Sequence, residues 1–366
     1  MPGLPHQVRR AADLSALTAA AFVVAGCRTA PPAREIVYFP ASPGHARVVH
    51  LVSFGTLRAV APRTLGLRDM LVGAPLGPFV QKPAGLAWRD GHLYICDTGL
   101  NVVHDWDLAA GTARRLGGSG AVALRKPVAV AAAPTGLLCV ADTERGEIVL
   151  FNAEGEAAGR LRPPSREGYR PTALAVRNNH LWVADIQMHQ VDVFDLDENR
   201  YDSSFGGAGS DPGRLYFPMG LAIGPRGRLF VSDMLNGRVQ VFDGRRQPVL
   251  AFGRPGDRYG DMGKPRHLAV APDGVTFVAD AEFAHVHLFD EQGRLLLLIG
   301  GPEDQPGGTP MPAGIAVAKT VPPSLAGLMP QGFSCRYYLF VSNTAASRPI
   351  SLFAVGQATA TLNAEG

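Results

Sequence analysis

The chain has 366 residues, of which 46% are hydrophobic and 18% charged, and its formal net charge is +3. A nucleic-acid partner would require a basic stripe, yet basic residues cluster only at Arg9-Arg10 and Arg245-Arg246, so the sequence predicts no nucleic-acid partner. The four cysteines form no Cys-x-x-Cys pair, which leaves zinc-ribbon and thioredoxin chemistry unsupported.

Residues 1–26 have the form of a secretory signal peptide, in which a basic start precedes an uncharged run too short to span a bilayer. The run ends in Val-Ala-Gly before Cys27, which resembles the bacterial lipobox, whose cysteine is acylated. This resemblance implies lipidation at Cys27 and a tether over residues 27–34. It also implies outer-membrane sorting where a cell has two membranes, because Arg28 is not the aspartate that retains lipoproteins in an inner membrane. An ordinary signal and twin-arginine export remain alternatives.

Residues 35–366 repeat one unit six times. Each unit begins at a proline, namely Pro83, Pro127, Pro171, Pro218, Pro265 and Pro312. The clearest copy, Phe217 to Asp243, has three short apolar runs separated by glycine, proline, asparagine and arginine, and such runs are typical of strands. A fourth run that ends in glycine lies between consecutive copies. The second run ends in an aspartate in five copies and in Asn343 in the last.

Four antiparallel strands in 44 to 47 residues are the dimension of a propeller blade, so the sequence predicts an all-β, six-bladed propeller. The units resemble NHL repeats, and the whole chain is similar to the six-bladed NHL-repeat lipoproteins of bacteria. The five intervals between six copies supply only five fourth strands. We therefore expect the early run Arg47–Gly55 to complete the last blade and close the ring.

The last copy carries an insertion, Lys319–Tyr338, between its first two strands. Because these strands are joined at the end of the blade remote from the proline, the insertion is expected on the face opposite the channel mouth. A structural decoration and a partner-docking loop are both compatible with its length.

The prolines and the repeat aspartates should surround one mouth of the central channel, where propeller loops carry function. After five of the six repeat prolines, the next two residues are small or apolar, and Met219 is one of them. The exception is Pro265, which is followed by Arg266-His267. These two groups could hold an anion or move a proton, or they could simply be solvated. A partner-binding rim is predicted around them, formed by Arg145, Met188, His189 and Glu282.

The repeat aspartates are interpreted as structural acceptors for the turns that follow them, and not as calcium ligands. Some NHL propellers resemble peptidyl-hydroxyglycine lyases, which hold zinc with three inner histidines. Only His267 stands at the start of an inner strand here, so the sequence predicts no metal site, no cofactor and no catalytic residue.

The leading hypothesis is a monomeric, lipid-anchored scaffold of the cell envelope. It would be exported, held in the membrane by its N-terminal lipid, and would bind an unidentified envelope protein or peptide without catalysis. The alternative is a divergent lyase or hydrolase with its active site at the channel mouth.

Overall fold

The computed structural model describes residues 36–61, 79–119, 122–164, 167–305 and 307–359. The predicted signal peptide, Cys27 and the tether lie outside these ranges. Among the described residues, no helix has both the length and the apolar composition that a membrane span requires.

Strands β1 (Val37–Phe39) and β2 (Val48–Phe54) precede the first proline-anchored unit. Blade 1 holds β3–β6 (Pro83–Arg89, His92–Asp97, Val102–Asp107, Thr112–Leu116), and blade 2 holds β7–β10 (Pro127–Ala132, Leu138–Asp142, Glu147–Phe151, Ala157–Leu161). Blade 3 holds β11–β14 (Pro171–Arg177, His180–Asp185, Gln190–Asp195, Arg200–Gly206), and blade 4 holds β15–β18 (Pro218–Ile223, Leu229–Asp233, Arg238–Phe242, Pro248–Phe252). Blade 5 holds β19–β22 (Pro265–Val270, Thr276–Asp280, His285–Phe289, Leu295–Gly300), and blade 6 holds β23–β25 (Pro312–Ala318, Phe333–Asn343, Ile350–Ala358).

The helical segments are short. One turn of α-helix, α1, covers Pro323–Ala326. The 3₁₀ turns are Pro43–His45, Leu57–Ala59, Pro225–Gly227 and Met234–Asn236.

Each of the first five blades is a four-stranded antiparallel sheet, and the inner strands of neighbouring blades contact one another around a closed ring. The second strands are largely apolar because both of their faces are covered by adjacent blades. In β16, for example, all five residues are buried, whereas four of the five residues of the outer strand β6 are exposed. The prediction of an all-β, six-bladed propeller with four antiparallel strands per blade is confirmed.

The early strand β2 closes the last blade, as predicted. It pairs antiparallel with β25, from Val48 opposite Val355 to Phe54 opposite Ile350. Strand β1 then pairs with β2 from outside, so blade 6 has five strands in the order β1-β2-β25-β24-β23. This fifth strand was not predicted, because three residues carry too little pattern to be recognised.

The insertion in blade 6 differs from the prediction in its length. Residues 333–338 belong to β24, because the third strand continues to Ala358 and pairs with them. The remaining loop packs onto the fold: Leu325 of α1 is fully buried, and the Ser324 hydroxyl donates to the Val60 carbonyl at 3.3 Å. These contacts favour the structural interpretation of the insertion over a free docking loop.

Candidate functional site at the channel mouth

The inner strands meet at the channel axis through small residues. A Cβ on Gly85 would lie 2.7 Å from the Ala129 Cα of the next blade, and one on Gly314 would lie 2.3 Å from the Ala84 carbonyl oxygen. Neighbouring inner strands therefore approach backbone to backbone. This close approach explains why small residues dominate the positions after the prolines, and it makes Arg266-His267 the exception.

The repeat aspartates hold the loops of the mouth in place. Asp97 accepts hydrogen bonds from the following N–H groups of Gly99 and Leu100, at 2.9 and 3.2 Å. It also accepts from Gln81 and Lys82, the two residues before the first proline, at 2.7 and 3.0 Å. Asp142 and Asp280 repeat this arrangement in blades 2 and 5. The structural interpretation of these aspartates is confirmed, and each one also joins the second strand to the entrance of the first.

Hydroxyl groups link blades near the same end. Thr143, Thr172 and Ser232 each donate to an inner-strand carbonyl of the following blade, at 2.5, 2.9 and 3.1 Å. Ser342 of the last blade donates to the Ala84 carbonyl of the first at 2.6 Å. The mouth is therefore a rigid ring, and a ligand would meet a preformed surface.

A cavity of about 290 Å³ lies in this mouth. Its wall contains the hydroxyl residues Thr98, Thr143, Thr172 and Thr344 and the apolar residues Val128, Ile186, Phe217 and Met219. The cationic side chains in the wall are Lys126 and Arg266, and His267 lies beside the latter. No carboxylate among the described residues lines the cavity, so its charge is positive.

Arg266 and His267 differ in protonation. Burial lowers the pKa of His267 to about 4, and repulsion from Arg266 adds to this effect against an opposing backbone hydrogen bond with Thr172. His267 is therefore neutral at pH 7. Burial also lowers the pKa of Arg266, but an arginine keeps its charge at neutral pH. No other residue that the structure describes pairs with the Arg266 guanidinium.

The cavity wall brings Met219, Arg266 and His267 together, whereas the four predicted rim residues lie outside it. The Arg145 guanidinium is held by Glu147 at 3.0 Å and by the Ala123 carbonyl at 2.8 Å. Glu282 forms an ion pair with Lys264. Both charged side chains are thus paired with other residues of the protein.

The other two rim residues lie in the turn after β12. Met188 is 48% exposed. His189 accepts a hydrogen bond from the Phe217 N–H at 3.1 Å, and its ring packs on Tyr216 with a centroid separation of 4.9 Å. His189 therefore supports the loop before blade 4, and only Met188 offers a free surface to a partner.

The cavity contains groups that the sequence did not single out, namely Lys126, Thr172 and Phe217. Lys126 and Phe217 each precede a proline of the repeat, so the position before the proline was the signal that could have identified them. No group of three or more His, Cys, Asp or Glu side chains suited to a metal ion occurs in the described part of the chain.

No family model matches the chain, and no curated protein matches it in sequence. Solved structures do match. A gluconolactonase from Xanthomonas campestris superposes with a TM-score of 0.57 at 17% identity, covering 89% of this chain and 99% of that one. The chain shares its propeller fold with this structure. The predicted resemblance is therefore confirmed at the level of fold.

Two further neighbours have the same architecture. Virginiamycin B lyase from Staphylococcus aureus has a TM-score of 0.53 at 12% identity, covering 75% of this chain and 85% of that one. Regucalcin from Agrobacterium tumefaciens, described as a calcium-binding protein, has a TM-score of 0.55 at 13% identity, covering 76% and 92%. These neighbours include enzymes and a binding protein, and at such identities they show the fold alone.

Proposed function

We propose that this protein is a binding module that receives the carboxylate of a small molecule or of a peptide end in its channel mouth. The observation that carries the proposal is the Arg266 guanidinium, which lines a 290 Å³ cavity without a partner among the described residues. A guanidinium in such a place matches a carboxylate through two parallel hydrogen bonds.

The remainder of the cavity fits the same ligand. Neutral His267 adds no second charge that would have to be compensated, while the threonine hydroxyls offer further polar contacts. Phe217 and Met219 provide apolar surface beside them. Around the mouth, Met188 and Leu235 are 48% and 52% exposed and supply apolar contacts for the rest of a peptide or protein partner.

The test compares short peptides that end in a free carboxylate with the same peptides amidated at the C-terminus. The free acids are expected to raise the melting temperature of the protein and the amides are not. In Arg266→Met the free acids should bind about tenfold to hundredfold more weakly, because one charge-assisted contact contributes about 1.5–3 kcal/mol. Isothermal titration measures the affinities.

Arg245→Met is the matched control, because Arg245 is exposed on the opposite face and its loss leaves the mouth unchanged. Equal binding of free and amidated peptides, or undiminished binding by Arg266→Met, would show that the mouth does not recognise a carboxylate.

The second candidate is a lyase or hydrolase that acts at the same mouth. It is favoured by the unprotonated imidazole of His267 beside the Arg266 guanidinium, and by the gluconolactonase and the lyase among the structural neighbours. A pKa of about 4 makes His267 a weak general base at pH 7, which favours binding over catalysis. Mass spectrometry of the peptides after incubation decides between the two, because a binding module returns them intact.

We also propose that the propeller works at the cell envelope, exported and held in the membrane by a lipid on Cys27, as a monomer without a nucleic-acid partner. Cys27→Ser should then move the protein from the membrane fraction to the soluble fraction of the cell, because it removes the acylated thiol. Cys335→Ser is the control, since this thiol lies within the fold. Recovery of Cys27→Ser protein in the membrane fraction would assign the anchor elsewhere.

A further inference from the structure

A second cavity, of about 240 Å³, lies between blades 3 and 4 where β11 ends and β12 begins, which is the face opposite the channel mouth. Its walls are aromatic. Trp182 comes from β12, while Phe205 of β14 and Phe242 of β17 contact each other edge to face with centroids 5.2 Å apart. Aromatic walls of this kind favour a flat ring as ligand.

Two arginines stand at the edge of this cleft. Arg246 is held in place by the Ser203 hydroxyl at 2.7 Å and by the Asp202 carboxylate at 3.3 Å, and it lies over the Phe205 ring at 5.8 Å. The guanidinium of Arg177, an exposed residue, has no hydrogen-bond or ion-pair partner among the residues that the structure describes. The cleft therefore contains one compensated and one uncompensated guanidinium.

One carboxylate lines the cleft, that of Asp243. One of its oxygens, Oδ1, accepts the backbone N–H groups of Arg245 and Gln247 within its own turn, both at 2.9 Å. His180, whose ring centroid lies 6.0 Å from that of Trp182, completes the polar edge. No described carboxylate, that of Asp243 included, forms an ion pair with Arg177.

The neighbouring repeat shows which side chain fills the corresponding cleft between blades 4 and 5. The corresponding cavity between blades 4 and 5 measures about 20 Å³ and is lined by Gly274 and Glu291. A Cβ on Gly274 would lie 2.3 Å from the Glu291 Cγ, so the glutamate side chain covers that glycine.

Units 4 and 5 are offset by 47 residues, so Gly227 corresponds to Gly274, and Gly244 stands where unit 5 has Glu291. At Gly244 a Cβ would meet no heavy atom within 4 Å, and the space is open. Gly227, at φ +70°, is instead covered by Arg177, whose Nη1 would lie 1.2 Å from a Cβ there. The cleft thus lacks the acidic side chain of the next repeat and has the Arg177 guanidinium over the corresponding glycine.

We propose that the cleft between blades 3 and 4 binds a small aromatic carboxylate. The ring of the ligand packs against Trp182 and Phe205, and its carboxylate pairs with the Arg177 guanidinium beside the open space at Gly244. A volume of 240 Å³ accommodates a ligand of about one ring. This site is separate from the channel mouth and does not depend on the function proposed there.

The probes are benzoate and phenylacetate, with neutral benzamide as the uncharged comparison. Binding is followed by tryptophan fluorescence, since Trp182 lines the cleft, Trp106 is fully buried and Trp88 stacks on Phe340 inside the fold. The carboxylates are expected to change the emission in a saturable way, with benzamide about tenfold weaker or more.

Gly244→Glu is the decisive variant, because it introduces the acidic side chain that the neighbouring repeat carries, at a position where a Cβ meets no heavy atom within 4 Å. It should weaken benzoate binding about tenfold or more, as should Arg177→Met, which removes the charge. Arg115→Met, on the exposed outer strand of blade 1, should bind benzoate as the wild type does.

Unchanged benzoate affinity in both Gly244→Glu and Arg177→Met would overturn the proposal. So would equal affinity for benzoate and benzamide, or the absence of a saturable Trp182 signal in the wild type. A response that Arg266→Met abolishes would assign the carboxylate to the channel mouth instead and would likewise overturn it.

Discussion

A chain that begins at Ala46 is expected to form a stable monomeric propeller. A chain that begins at Thr56 is expected not to form one. The difference between the two is β2. Val48, Val49, Leu51 and Phe54 of this strand are at most 1% exposed. Burial of four such side chains contributes about 6–12 kcal/mol, which is comparable to the entire stability of an ordinary domain.

The loss of β2 also leaves β25 as an unpaired sheet edge, which favours aggregation. Urea unfolding and size-exclusion chromatography of the two chains make the comparison, and both lack β1, so β2 alone is tested. A cooperative, monomeric fold in the chain that begins at Thr56 would show that blade 6 does not need its early strand.

Asp97→Ala is expected to destabilise the protein by about 3–5 kcal/mol at pH 7. The substitution removes the acceptor of four backbone N–H groups and of His104, whose Nε2 lies 3.1 Å from the carboxylate. Both the aspartate and the histidine are fully buried. Asp107→Ala is the control, because that carboxylate serves two N–H groups of an exposed turn, and about 1 kcal/mol is expected.

The effect of Asp97→Ala should depend on pH. Burial alone would raise the pKa of Asp97, but the hydrogen bonds from His104 and from Gln81, Lys82 and Gly99 together outweigh it and lower the pKa to about 2. A depressed carboxylate pKa stabilises the fold above the unfolded pKa of 3.8, and this stabilisation is lost as pH falls through about 2.

About 2 kcal/mol of the difference between wild type and variant should therefore disappear between pH 5 and pH 2. Urea unfolding of the two proteins over this range measures it. A difference that stays constant over the range would contradict the role of the charged carboxylate.

Much of the fold could be predicted because its signals are local and recur. The proline that begins each inner strand and the aspartate that ends each second strand are visible in single units. The closing role of β2 followed from counting fourth strands. Strand β1 was missed because Val37–Phe39 is stabilised by its partner β2 and not by a pattern of its own.

The site was harder to predict, because ring closure brings its residues together from different blades. Arg266 and His267 stood out as exceptions to the repeat. Lys126 did not, since a lysine before a proline has no distinctive pattern. The rim prediction treated Arg145 and Glu282 as free charges, but neighbours in three dimensions occupy both. Sequence spacing shows where a loop starts and not which neighbour its side chain meets.

The pairing of β2 with β25 has a consequence for biosynthesis. Ser53 and Ser351, whose hydroxyls lie 3.0 Å apart in the finished sheet, are separated by 298 positions in the chain. Strand β2 is synthesised long before β25, and it can pair with β25 only after β25 has left the ribosome. Contacts of such long range form slowly, so β2 stays without this sheet partner until translation of β25 is complete.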